Sequence, residues 1–100
     1  MAISFDETTV RHQVTELRNI ASDMKKIANN EMQNTINTTK ASWKGTSADN
    51  FCNKYNTLSG NILKEANNID SLAASLEKLA NAIVNAERQA ESIVTGGLIK

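Results

Sequence analysis

Ala41-Ser42-Trp43-Lys44-Gly45-Thr46-Ser47 divides the chain. On either side lies a long segment with helical apolar spacing, and the chain has no proline to break either one. The stretch therefore reads as the turn of a helical hairpin. Gly45 can take the positive φ that ends a helix, and Thr46 or Ser47 can accept a backbone N–H to start the next. A turn does not need tryptophan. The indole of Trp43 is large and costly to leave in water, so at a hairpin tip it either plugs the end of the helix interface or is offered to a partner.

Before the turn, two helix starts are open. Ser4 and Glu7 stand at capping-box spacing, whereas Asp6 as N-cap lets Phe5 and Val10 form a hydrophobic staple. From Val10 the apolar positions run Val14, Leu17, Ala21, Met24 and Ala28 in steps of four and three, with Ile20 and Ile27 widening the stripe. That spacing predicts a helix with one broad buried face. The run from Asn29 to Thr39 has poor helix propensity, because Asn competes for backbone hydrogen bonds and Thr is stiff at χ1. Met32 and Ile36 continue the face, so helix is expected to about Ser42 with a locally weaker stretch.

After the turn the periodicity is stronger. Phe51, Tyr55, Leu58, Ile62, Glu65, Ile69, Leu72, Leu76, Leu79, Ile83, Ala86, Ala90 and Ile93 alternate steps of four and three, and only Glu65 interrupts the apolar run. This predicts a helix with coiled-coil packing, about 70 Å long at about 1.5 Å per residue, with Leu63, Ala66, Ala73 and Ala80 flanking the seam. Gly60 inside it costs up to about 1 kcal/mol relative to Ala, which either a closely approaching helix or a slight bend would explain. Gly96 and Gly97 are expected to stop the helix and leave a short tail.

The reading is one all-α domain over residues 1–100: helix 1 about 6–42, turn 43–46, helix 2 about 47–94, and a flexible tail 95–100. Two helices in an antiparallel hairpin meet along one line, and these stripes are wider than that line. A hairpin of this size has little core to offset chain entropy, so two copies are expected to combine in an elongated four-helix bundle.

Composition narrows the function. Eleven basic and eleven acidic side chains cancel and are spread along the chain, which argues against a nucleic-acid footprint and against electrostatic attachment to anionic lipid. The lone Cys52 allows no intramolecular disulfide and no structural zinc site, and reads as a small packing residue. One His, His12, one Cys, scattered carboxylates and no Gly-rich phosphate loop form no acid–base pair, nucleophile or metal site. The expectation is no enzyme, no cofactor, no metal and no small-molecule substrate. Met1–Glu7 lacks the basic and apolar regions of a secretory signal, and no later stretch is apolar enough to span a bilayer. These residues alone read as cytoplasmic.

With the triplet Trp43-Lys44-Gly45 midway along about a hundred helical residues, nearly the whole chain resembles the WXG (EsxA-like) family of small proteins exported by type VII secretion systems. The resemblance implies synthesis in the cytoplasm and export, folded and without a cleaved signal peptide, to the medium or cell surface. It implies pairing, as a homodimer or with a related WXG protein. Family members also carry an apolar residue near the C-terminus, usually Tyr or another large side chain, an acidic residue four on, an apolar residue three after that, and another four later still. Ile83, Glu87, Ala90 and Val94 have that spacing, with Ile83 where Tyr is the stricter choice.

By resemblance, Glu87 and its neighbours would form an export-type motif beside the Trp43–Gly45 turn of the partner protomer, read by the secretion ATPase. Read from the residues alone, Ile83, Ala90 and Val94 serve equally as bundle core and Glu87 as a solvated helix charge. Two other roles stay open: an adaptor exported with a larger toxin, and a structural coiled coil that never leaves the cell.

Overall fold

Asp6 decides where the first helix starts. Its carboxylate accepts the Thr9 backbone N–H at 3.0 Å and the Thr9 hydroxyl at 2.7 Å, and these bonds hold the Asp6 pKa below its usual value, the backbone N–H contributing most. Asp6 is thus the N-cap; Ser4, the other candidate, lies outside the described residues. A computed structural model describes the backbone of residues 5–99 and the side chains of residues 5–94.

The elements are α1 (Glu7–Lys26), a π-helical turn (Ile27–Glu31), α2 (Met32–Ser42) and α3 (Thr46–Ile99), with no strand among the described residues. The first three form one continuous arm, which α3 meets in an antiparallel hairpin measuring 83 × 16 × 16 Å. The expected stop at Gly96 and Gly97 is not made, and the backbone stays helical to Ile99. Glycine permits a helix end without forcing one, and no proline follows to forbid continuation. Lys100, the last residue of the expected tail, lies outside the described residues.

The seam differs from the expected one. The fully buried row on α3 is Cys52, Ser59, Ala66, Ala73 and Ala80, at intervals of seven and preceded by Ala48. It faces Val14, Ala21, Ala28, Met32 and Ile36 of the first arm. Phe51, Leu58, Leu72, Leu79 and Ile93, expected at the seam, are exposed, while Tyr55, Ile62, Ile69, Leu76 and Ile83 are half-buried. Small side chains win the centre because they let two helix backbones approach closely, and the larger ones are displaced to one side.

That side can be assigned from the ion pairs. Residues four after each buried position lie about 40° round the helix to one side of it. On this flank Arg18 pairs with Glu77 at 3.1 Å and Lys25 with Asp70. Positions three after and one before lie about 60° and 100° round to the other side. The second flank therefore carries Leu17, Met24, Ile20 and Ile27 from α1 and the wide turn, with Ile62, Ile69, Leu72, Leu76 and Leu79 from α3. One flank of the rod is charged and paired, and the other is open and apolar except for Gln13 and Glu65.

Gly60 is exposed on α3, and a Cβ added there would meet nothing within 4 Å. The close-approach explanation is thereby removed. Gly60→Ala is expected to stabilise the chain by up to about 1 kcal/mol through helix propensity alone, read as a melting temperature raised by several degrees at matched protein concentration.

Candidate functional site

The hairpin turn is built by three successive backbone choices. Trp43 leaves the helix with φ −134° and ψ 121°, its N–H still bonded to the Thr39 carbonyl at 2.8 Å. Gly45 takes φ +117°, where any side chain is strained. Its carbonyl then accepts the Asp49 N–H at 3.0 Å, the first bond of α3. Lys44 folds back so that its Nζ donates to the Lys40 carbonyl, one of the unfilled acceptors at the end of α2. Asp49 lies in the first turn of α3, where its negative charge suits the helix dipole.

Trp43 keeps 45% of its surface exposed. Its ring lies 5.9 Å from that of Phe51, tilted by 51°, and Phe51 stacks on Tyr55 at 5.6 Å. Three of the chain's four aromatic residues thus form a ladder at the tip. Read from sequence, Phe51 and Tyr55 belonged to the seam. Their i, i+4 spacing in the first turns of the helix after Trp43 was the signal for the ladder. Beside it, a shallow cleft of about 220 Å³ is lined by Lys40, Trp43, Lys44, Gly45, Ala48, Asp49 and Cys52. Cys52 is buried with a free thiol, packing as a small residue in the seam.

The second group of candidate residues sits at the other end. Ile83 and Val84 are half-buried, and every residue from Asn85 to Val94 is exposed, because the first arm begins only at Glu7 and runs out alongside them. From Asn85 to Ile99, α3 overhangs by roughly 22 Å at about 1.5 Å per residue. Glu87 and Val94 continue the row of Ala66, Ala73 and Ala80, and Ala90 continues that of Ile69, Leu76 and Ile83. Ile83 therefore closes the hairpin's own packing stripe, and Glu87, Ala90 and Val94 extend it past the point where any described residue covers it. Ile93 and Val94 are 74% and 61% exposed.

Within one chain the turn and the overhang do not meet. Thr46 and Ile83 are separated by roughly 55 Å of helix at about 1.5 Å per residue. His12 is exposed and pairs with Glu16 at 3.0 Å on its own helix. Among the described residues no three His, Cys, Asp or Glu side chains cluster as metal ligands, and no helix is long and apolar enough to cross a membrane.

Neither a curated protein nor a solved structure matches the chain. The sequence model of the WXG100 family, proteins of 100 residues with WXG, matches residues 2–88, and the chain belongs to that family.

Proposed function

We propose that this protein is a small substrate of a bacterial type VII secretion system, exported as a homodimer and acting by protein recognition rather than by catalysis. Family membership supports the class, since WXG proteins are small helical secretion substrates that pair with other proteins and are not known as enzymes. The observation that carries the reading to this chain is the exposed end of α3, where a packing stripe continues with Glu87 in it and no described residue packs over it. A second hairpin running antiparallel would bring its Trp43 turn to that overhang. The family match reaches Glu87 but ends before Ala90 and Val94.

Interior composition favours the dimer. Among the described residues, six of the ten buried apolar ones are alanines, and no large side chain is fully buried. A methyl-sized group contributes about 0.8 kcal/mol on burial, so the hairpin's own seam supplies little. The large apolar groups on the open flank supply more once a second copy covers them. In the composite surface so formed, Trp43, Lys44 and Gly45 of one protomer stand beside Ile83, Glu87, Ala90 and Val94 of the other. The export ATPase reads that surface, and the protein is released to the medium or cell surface.

The test compares culture supernatant with cells of the producing bacterium for wild type, Trp43→Ala and Glu87→Ala, with a cytoplasmic lysis marker and a check of dimer mass. Wild type is expected outside, with each dimeric variant reduced there at least tenfold. Retention of wild type in cells that make the secretion machinery would overturn the reading. Stoichiometric recovery of wild type with a larger co-exported protein would replace it with the adaptor role.

A further inference from the structure

The first arm changes phase at its π-helical turn. Along α1 and into the π turn the buried positions Val14, Ala21 and Ala28 fall seven apart, but the next are Met32 and Ile36, two steps of four. A continuous α-helix from Ala28 would bring Thr35 within about 20° of the same row and turn Ile36 about 80° away from it. Thr35 would then face α3, Glu31 would continue the flank row of Leu17 and Met24, and Met32 and Ile36 would drift about 40° and 80° to the other side. The π turn prevents this. The Met32 N–H reaches back five residues to the Ile27 carbonyl, each residue of the wider turn advances less about the axis, and Met32 and Ile36 return to the interface, 5% and 4% exposed.

The same turn holds the one polar side chain in the buried row. Ser59, 2% exposed, donates its hydroxyl to the Ala28 carbonyl at 2.9 Å, across the interface from α3. Gln33, just past the wide turn, donates its side-chain amide to the Ser59 hydroxyl oxygen at 3.3 Å. Every other position of that row carries Ala or Cys. The hydroxyl is thus aimed at the segment where the helix ladder is irregular.

We propose that the first arm carries one residue more than its register with α3 requires, that the π turn absorbs the surplus, and that Ser59 clamps it there. The pair sets the phase of α2 and hence the direction in which Trp43 leaves the arm. This device is independent of export and of the number of copies in the assembly.

The surplus makes an unusual deletion tolerable. Removal of Asn30, an exposed residue inside the turn, leaves Met32 and Ile36 at the heptad spacing of an ordinary α-helix. Removal of exposed Asn19, in the regular part of α1, rotates Val14 and Leu17 about 100° out of line with Ala21 and Met24. The Asn30 deletion is expected to keep wild-type helicity by circular dichroism, the emission maximum of the sole tryptophan, and a cooperative melt within about 5 °C of wild type, where that shift is roughly 1 kcal/mol. The Asn19 deletion is expected to lose cooperativity. Equal damage from the two deletions would overturn the surplus.

The clamp is read from a mutant cycle. Ser59→Ala is expected to lower the melting temperature in the full-length chain, and to lower it by less than half as much in the Asn30 deletion. An equal drop in both backgrounds would overturn Ser59 as the clamp.

Discussion

Ala73→Leu is expected to lower the melting temperature by roughly 10–20 °C, corresponding to about 2–3 kcal/mol of overpacking in a domain of this size. Ala73 is 0% exposed at the centre of the small-residue row, with Ala66 and Ala80 one heptad away on either side. A leucine there adds three carbons where two helix backbones approach, and only a local splaying of the hairpin makes room. Ala74→Leu is the control. Ala74 is the exposed next residue on the same helix, leucine is nearly as good a helix former as alanine, and the expected change is within about 0.5 kcal/mol. Melting both at one protein concentration separates packing from mass action. Similar melts for the two variants would mean the small-residue row is not the seam.

The paired substitution Leu72→Glu with Leu79→Glu is expected to convert the proposed dimer to a monomer while leaving the hairpin folded. These leucines are 54% and 57% exposed within one chain, so a carboxylate there still reaches water in the monomer. In the dimer the same carboxylates would be desolvated opposite an apolar face, and the leucine burial would be lost. Together these effects cost about 3 kcal/mol or more, an affinity loss of about 100-fold or greater. Light scattering at micromolar concentration is expected to give twice the chain mass of 10.9 kDa for wild type and that mass itself for the variant, with helicity retained. A wild-type protein that scatters as one chain under these conditions would remove self-association from the proposal.

The two variants touch adjacent positions, Leu72 and Ala73, yet they test different interfaces. From sequence the three-four alternation named Leu72 and Leu79 as seam and put Ala66, Ala73 and Ala80 beside it. The alternation was real, but apolar content alone does not tell the line where two helices touch from a stripe that a further chain would cover. Size decides between them: the closest contact goes to the residues with least side chain. The overhang was equally hidden. Ile83, Glu87, Ala90 and Val94 stood out by spacing, but the exposure of the last three follows from the first arm being shorter than α3, which is a property of the paired helices. The aromatic ladder was legible only in its Phe51–Tyr55 step, since Trp43 lies outside the helical periodicity that carries those two.

Local chemistry was sufficient for the all-α class, the two long helices, the turn at Trp43–Gly45 and the positive φ of Gly45, because propensity, proline absence and heptad spacing act over a few residues and all agree here. Family membership was legible for the same reason, since a triplet in the right place between two periodic segments is a linear pattern. The tertiary structure alone decided which rows face inward, which flank is ion-paired and which is open, how far α3 outruns the first arm, and that the chain widens into a π turn at Ile27–Glu31. Each of these depends on matching one helix against another, residue by residue along their length. A single strand of sequence contains both helices but not their register.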